Sequence, residues 1–305
     1  MTRKTADLHG ILAAVTTPFT ADGSALDEDA LRRNVDRLVA AGIHGLVPTG
    51  STGEFTSLSP QEYRRAIELY VESAAGRIPV VAGVGSLTTG GAIELAQHAE
   101  NVGADAIMLL PPFYDALSFD ALKAFMSAVA GSITIPIVYY NIPSNTGALL
   151  SGEQIAQLGD IEGVDYLKDT SGDAVTLAEL LAAHGGRIKA FNGWDTLTFF
   201  GIASGAEASV WGAAGIVPEL AVELWETLAV RKDLVKAREL WGPLWELSAF
   251  LESVNYAAGI KAALEIIGHP AGPVRLPAQP ISAEEHARLT DILQRTGAVP
   301  SLATT

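Results

Sequence analysis

A lysine at the end of a predicted strand is the residue of this sequence best suited to covalent chemistry. The chain has only seven lysines, and strand alternation places Val164, Tyr166 and Lys168 on one face of their strand. Leu167 then faces the other way, toward a covering helix. Burial lowers the pKa of a lysine ammonium, and the free amine can attack a ketone to form a Schiff base. A lysine that reaches solvent, or that pairs with the aspartate after it, is the structural alternative.

Two other predicted strand ends carry groups that complement such a lysine. The turn 48–54 presents the adjacent hydroxyls of Ser51 and Thr52 between glycines, an arrangement suited to a carboxylate. Another strand ends in Tyr140, whose phenol can relay protons. Taken alone, the first pattern could equally be a plain turn, and a tyrosine at a strand end is more often structural than functional. The chemical interpretation therefore requires a fold that brings these strand ends together.

The order of the predicted elements supplies such a fold. Eight strands are predicted at 11–17, 44–48, 79–84, 106–110, 136–140, 164–168, 187–191 and 207–211. Helices are predicted between them at 27–41, 60–75, 88–102, 118–130, 151–158, 173–184 and 194–204. This alternation, without a second composition regime, predicts a (β/α)8 TIM barrel over residues 1–230 in preference to an open doubly wound sheet. Active sites of such barrels lie at the C-terminal ends of the strands.

The chain after the barrel is predicted to be a C-terminal helical appendage. Helix-like stretches occur at 233–251, 253–267 and 282–296, with a short turn-rich link at 268–273. We therefore expect residues 231–305 to form helices that pack on the barrel.

Composition narrows the function classes further. Lys+Arg 20 against Asp+Glu 35 gives a net charge of −15, so neither nucleic acid nor a membrane is an expected partner. The absence of cysteine excludes thiolate nucleophiles, and together with the lack of a signal peptide or membrane span it favours a cytoplasmic protein. The six histidines have no ligand spacing, and no phosphate-loop or Gly-x-Ser-x-Gly motif occurs. We expect neither a metal nor a cofactor.

Five ordered motifs resemble those of the dihydrodipicolinate synthase/N-acetylneuraminate lyase family of class I, pyruvate-dependent lyases. They are TTPF at 16–19, GSTGE at 50–54, LPPFY at 110–114, YNIP at 140–143 and KDTSGD at 168–173. Each motif is weak alone, but the ordered set spans nearly the whole barrel. The resemblance implies that Lys168 is the Schiff-base lysine and Tyr140 the proton-relay phenol. Ser51 and Thr52 match the hydroxyl pair that holds the pyruvate carboxylate, and Thr52 is counted among the catalytic residues.

The same resemblance implies a shared site and an oligomer. Tyr114 matches a tyrosine that reaches a neighbouring subunit's site to complete the proton relay. We therefore expect a homotetramer built as a dimer of dimers. Gly193 and Val210 match positions that line the pocket.

Two positions for the second substrate depart from the family patterns. The synthases place an arginine in the turn where this chain has Asn145, and an amide cannot replace that charge. The neuraminate lyases place an acidic pair after Gly-Tyr, whereas Gly193-Trp194-Asp195 keeps one acid. Asn145 and Asp195 are the predicted contacts to an aldehyde or sugar-acid partner.

The sequence therefore predicts a Schiff-base-forming lyase that acts on pyruvate or a 2-keto-3-deoxy sugar acid through Lys168. Aldol cleavage, condensation and dehydration all stay open. The alternative is a 4-hydroxy-tetrahydrodipicolinate synthase condensing pyruvate with aspartate semialdehyde, for which Arg187 or Arg275 would have to reach the site. More distant alternatives are a non-catalytic sugar-acid-binding barrel and a phosphate-handling isomerase, for which residues 212–215 are a faint glycine-rich signal.

Overall fold

Eight parallel strands form the barrel in a computed structural model that describes residues 3–299. The strands are β1 (Gly10–Ala14), β2 (Gly45–Val47), β3 (Val81–Gly85), β4 (Ala106–Leu110), β5 (Ile137–Asn141), β6 (Val164–Asp169), β7 (Lys189–Asn192) and β8 (Ala208–Trp211). Their hydrogen-bonded order is β2-β1-β8-β7-β6-β5-β4-β3. A parallel bridge between Leu46 and Val80 brings the two edge strands together. The predicted (β/α)8 fold is confirmed.

Helices cover the outside of this barrel and extend beyond it. Within the described range they are α1 (Glu28–Ala40), α2 (Pro60–Ala74), α3 (Thr89–Asn101), α4 (Phe119–Ala130), α5 (Pro143–Thr146), α6 (Gly152–Leu158), α7 (Ala174–Ala183), α8 (Thr198–Ala203), α9 (Pro218–Trp225), α10 (Leu234–Ser253), α11 (Tyr256–Ile266) and α12 (Ala283–Thr296). The sequence did not predict α5 or α9. Both begin at a proline and are too short for an apolar period to stand out.

The predicted start of α2 shows how local sequence sets an element boundary. The Ser59 hydroxyl accepts from the backbone N–H of Glu62 at 3.2 Å, and the Glu62 carboxylate accepts from the N–H of Ser59 at 3.0 Å. Pro60 occupies the first helical position, where its missing N–H costs nothing. This capping box satisfies amides that a helix otherwise leaves unpaired.

Strand β6 contains a correction to the predicted alternation. Tyr166 and Lys168 face the barrel interior and Leu167 packs outside, as expected, but Val164 also packs outside. The register shifts at this point, because consecutive residues of β5 pair with Val164 and then with Tyr166. Asp165 bulges out to solvent between them. Because of this bulge, the predicted alternation holds only from Tyr166 onward, where Tyr166 and Lys168 point into the barrel.

The C-terminal helices pack against the side of the barrel, as expected. Buried leucines of α10 and α12 share one apolar cluster with residues of β1 and β8, and the Trp211 indole donates to the Ser248 hydroxyl at 3.2 Å. This cluster joins the appendage to the end of β8. The division of the chain at residue 230 stays a prediction. None of the described helices is long and apolar enough to cross a membrane.

Candidate active site

Lys168 and Tyr140 meet at the C-terminal end of the barrel. They are direct partners in the pairing of β5 with β6, and both are buried, with 6% and 4% of their surface exposed. The Lys168 Nζ atom lies 4.1 Å from the centroid of the Tyr140 ring. A cation favours this position over an aromatic face. Strand register thus brings a primary amine and a phenol together in one enclosed space.

Gly193 follows β7 and leaves room for the lysine. A Cβ atom at this position would lie 2.6 Å from Cγ and 2.7 Å from Cε of Lys168, closer than real Cβ contacts allow. The Gly193 carbonyl accepts from the Thr170 hydroxyl at 3.0 Å, and its N–H donates to the Asp169 carbonyl. The glycine is therefore required by the close approach of β6 to the next strand end.

A polar group behind the lysine fixes the end of β6. The Asn141 amide donates to the Asp169 carboxylate at 2.8 Å, and the Ser171 hydroxyl donates to the same carboxylate at 3.0 Å. Burial raises the pKa of Asp169, and these hydrogen bonds oppose that rise. The motif after Lys168 thus serves to orient the strand end.

The turn that carries Ser51 and Thr52 is held in an uncommon backbone conformation. Thr49 has a φ of 54°, in the left-handed region that few residues with a side chain adopt. Its hydroxyl donates to the Gly83 carbonyl at 3.0 Å, and the Thr17 hydroxyl donates to the Gly53 carbonyl at 2.6 Å. Contacts to β3 and to the segment that follows β1 therefore hold the turn that carries the two hydroxyls.

An acidic wall of the cavity begins after β7, the strand paired with the one that carries the lysine. Asp195 is 6% exposed, and its Oδ2 atom accepts from the Tyr256 hydroxyl at 2.5 Å. Burial raises the pKa of Asp195 to about 7, while the Tyr256 hydrogen bond opposes the rise. Glu252 lies at the rim, where it accepts from the Thr196 N–H at 2.9 Å, and partial burial raises its pKa.

These residues surround one cavity of about 250 Å³. It is lined by Ala14, Ser51, Thr52, Tyr140, Ile142, Asn145, Lys168, Thr170, Gly193, Trp194, Asp195, Val210, Gly212, Glu252 and Tyr256. Among the described residues in this lining, Lys168 is the only basic one. The structure thus brings together every predicted site residue except Tyr114.

Tyr114 lies outside this cavity. It follows β4, and 86% of its surface is exposed in the single chain. It lines a separate groove beside α4, together with Leu87 and Leu117. A single chain does not test its predicted role at a neighbouring subunit's site, which stays a prediction.

Two ionisable residues of the lining were missed by the sequence analysis. Glu252 is the penultimate residue of α10 and Tyr256 is the first of α11, in helices interpreted only as an appendage. No motif marks them. A Cβ at Gly212 would lie 2.8 Å from two atoms of the Tyr256 ring, but this close contact is visible only in the tertiary structure.

Neither arginine considered as a substitute reaches the cavity. Arg187 pairs with Asp160 at 2.6 Å and with Glu153 at 3.0 Å, before β7 begins. Arg275 pairs with Glu62 at 2.6 Å. Both guanidinium groups are engaged elsewhere.

Comparisons with known proteins point to one family. The model of the dihydrodipicolinate synthetase family matches residues 7–296. The 4-hydroxy-tetrahydrodipicolinate synthase of Methanopyrus kandleri is 36% identical over 294 residues, covering 96% of this chain and 98% of that protein. The synthase of the same name from Methanothrix thermoacetophila is 38% identical over 288 residues, covering 94% and 96%.

A solved structure extends the similarity to the fold. The chloride-inhibited dihydrodipicolinate synthase from Acinetobacter baumannii, complexed with pyruvate, has a TM-score of 0.90 and 29% sequence identity. The match covers 95% of this chain and 99% of that chain. The resemblance drawn from the five motifs is confirmed, as is the prediction of a pyruvate-dependent class I lyase.

Proposed function

This chain belongs to the dihydrodipicolinate synthetase family, and from that premise we propose that Lys168 forms an imine with pyruvate, or with a 2-oxo acid that yields it. The observation that carries the proposal is the buried Lys168 amine over the Tyr140 ring, in a cavity whose lining holds no other basic residue among those described. A lone amine in an enclosed cavity is suited to nucleophilic attack on a ketone.

The steps follow from the groups present. The Lys168 nitrogen attacks C2 of the 2-oxo acid, the C2 oxygen leaves as water, and a protonated imine remains. This imine accepts the electron pair released when a C3–H bond breaks, or when the C3–C4 bond breaks and the C4 fragment loses its hydroxyl proton and leaves as an aldehyde. Either step gives an enamine. Tyr140 takes up and returns the proton, assisted by Thr52. Ser51 and Thr52 bind the carboxylate and fix the reacting carbon.

Reductive trapping tests this assignment. Incubation with pyruvate and borohydride should add one reduced three-carbon adduct to Lys168, seen by intact mass and located by peptide mapping. Lys168→Ala should abolish the adduct and turnover. Lys189→Ala is the matched control, because Lys189 lies at the start of β7 in an exposed pair with Glu207. An unmodified native protein, or an adduct on another lysine, would contradict the proposal.

For the second substrate we propose a hydroxylated partner, such as the aldehyde part of a 2-keto-3-deoxy sugar acid. Asn145 lines the cavity on α5, where an amide can donate to one hydroxyl and accept from another. The wall formed by Asp195 and Glu252 can accept from hydroxyl groups, and it repels a second carboxylate in its ionised state. These features disfavour aspartate semialdehyde, whose carboxylate needs a cation.

The second candidate is 4-hydroxy-tetrahydrodipicolinate synthase itself. The names of the relatives at 36% and 38% identity favour it. A panel assay decides between the two, comparing pyruvate plus aspartate semialdehyde with 2-keto-3-deoxy sugar acids. A specificity constant for the semialdehyde of about 10⁴ M⁻¹s⁻¹ or more, above that of every sugar acid, would establish the synthase.

We further propose a cytoplasmic homotetramer, a dimer of dimers, in which Tyr114 completes the proton relay of a neighbouring subunit. Two exposed side chains beside one groove support this proposal: Tyr114 at 86% and Leu87 at 55%, since apolar surface of this kind is typical of interfaces. Light scattering should show the tetramer. A fully active monomer would contradict it.

A further inference from the structure

A buried ion pair joins the C-terminal appendage to the turn that carries Ser51 and Thr52, whose hydroxyls are proposed to bind the substrate carboxylate. Lys261 of α11 lies 2.6 Å from the carboxylate of Glu54, and the two side chains are only 4% and 6% exposed. Glu54 comes two residues after Thr52 in the same turn. A buried charge is costly unless it is paired, so each of these groups holds the other in place.

The turn 48–54 needs stabilising contacts such as the one from Lys261, because part of its backbone has an unfavourable conformation. Glu54 has a φ of 53° and Thr49 one of 54°, so both ends of the turn lie in the left-handed region without being glycine. Such residues persist where surrounding contacts determine them. The hydroxyl of Thr49 anchors one end to β3, and Lys261 anchors the other.

Lys261 is itself fixed from several directions. Its ammonium donates to the Pro273 carbonyl at 2.8 Å and lies 4.1 Å from the centroid of the Phe19 ring. The Arg275 guanidinium packs on the same ring at 3.9 Å, and its backbone N–H donates to Glu54 at 3.3 Å. These contacts hold the Lys261 side chain in one position outside the barrel, where it stabilises the turn through Glu54.

We propose that Lys261 is a positioning residue for the 2-oxo acid: through Glu54 it holds Ser51 and Thr52 where they bind the substrate carboxylate. This inference rests on the proposed function, in which these hydroxyls bind that group. The C-terminal helices then contribute to binding of the first substrate without touching it. Their other contacts at the cavity, through Glu252 and Tyr256, are to the acidic wall.

Two variants and a control test the inference by borohydride trapping at graded pyruvate concentrations. Lys261→Met leaves the Glu54 carboxylate buried and unpaired, so it lowers Tm as well as binding. Adding Glu54→Gln removes the unpaired charge and should recover much of the Tm. Arg295→Met is the control, because it breaks a 2.7 Å pair with Glu246 between α10 and α12, away from the turn.

The half-saturating pyruvate concentration should rise by about 10- to 100-fold in both Lys261 variants, because small displacements of a positioning group have effects up to this size. Turnover at saturating pyruvate should change much less, and Arg295→Met should match the wild type. A folded double variant with half-saturation within about twofold of the wild type would overturn this inference alone. A wild type that traps no adduct would overturn the proposed function and this inference with it.

Discussion

The two walls of the cavity differ in how the chain builds them. The wall with Lys168 and Tyr140 is made from adjacent strand ends in direct register. The second wall joins Asp195, after β7, to Glu252 and Tyr256 from helices outside the barrel. Strand register fixes the positions of the residues on the first wall. The positions of those on the second depend instead on a loop and on how the added helices pack. In the proposed function, imine chemistry is carried by the first wall, and the departure from the family pattern at Asp195 lies on the second.

This difference has a consequence for substrate selection. Exchange of residues on the second wall should change the partner more than it changes imine formation, because no described hydrogen bond joins Lys168 to Asp195 and only a charge interaction links them. Such a division is one way a single barrel supports several reactions. The following changes test the division, from the first wall to the second.

Loss of the phenol on the first wall should have the largest effect. Tyr140→Phe should lower kcat by about 10²- to 10⁴-fold, the usual span for a lost general acid or base, while the fold is retained. Tyr139→Phe is the matched control, since Tyr139 is the adjacent residue of β5 and packs outside the barrel. The measurement is steady-state kinetics on both variants. A kcat of Tyr140→Phe within tenfold of the wild type would exclude Tyr140 as the general acid or base.

Crowding the lysine should have the next largest effect. Gly193→Ala places a methyl group against Cγ and Cε of Lys168, so the rate of imine trapping should fall by about 100-fold. Gly186→Ala, before β7, meets no atom within 4 Å and should leave the rate unchanged. Equal trapping rates in the two variants would show that the close approach is unimportant for Lys168.

A charge added at Asn145, a predicted contact to the second substrate, should change selectivity more than rate. Asn145→Arg should favour aspartate semialdehyde over a sugar acid by about 10- to 150-fold, the equivalent of about 1.5–3 kcal/mol for a charge-assisted hydrogen bond. Leu149→Arg places the same charge four residues away, at an exposed position outside the cavity lining, and serves as the control. The ratio of the two kcat/KM values is the measurement, and an unchanged ratio in Asn145→Arg would argue against this residue as a specificity determinant.

The smallest change in rate is expected for Asp195, whose signature is a pH dependence. Its folded-state pKa of about 7 lies above the ordinary value of 3.8, so the folded state binds the proton more tightly than the unfolded state. The contribution of Asp195 to the free energy of unfolding therefore falls as pH rises from about 4 to about 7. Asp195→Asn cannot titrate, so its stability relative to the wild type should rise over this range.

Chemical denaturation at several pH values measures this difference. Tyr256→Phe removes the hydrogen bond that lowers the pKa of Asp195, so the range of falling stability should extend to higher pH. Tyr166→Phe is the control, because that tyrosine donates to the Ala6 carbonyl in another part of the barrel. A constant difference between the wild type and Asp195→Asn across this range would mean that Asp195 is not perturbed.

The fold and the first wall could be predicted because their causes are local. Alternating apolar runs define the strands, and two-residue periodicity turns Lys168 and Tyr166 inward. Even here the periodicity was wrong at Val164, since the bulge at Asp165 depends on pairing with β5 and not on the strand's own sequence. Register across a sheet is a property of two segments, and neither carries it alone.

The second wall was decided only by the tertiary structure. Asp195 could be predicted from its motif, but Tyr256 is separated from it by 61 residues and lies on a helix whose apolar pattern says only that one face is buried. Likewise the charge of Arg275 was visible in the sequence, whereas its engagement by Glu62 was not. Periodicity records that a side chain is buried. What it is buried against depends on how distant segments pack, and this packing places Glu252 and Tyr256 in the cavity and keeps both arginines out of it.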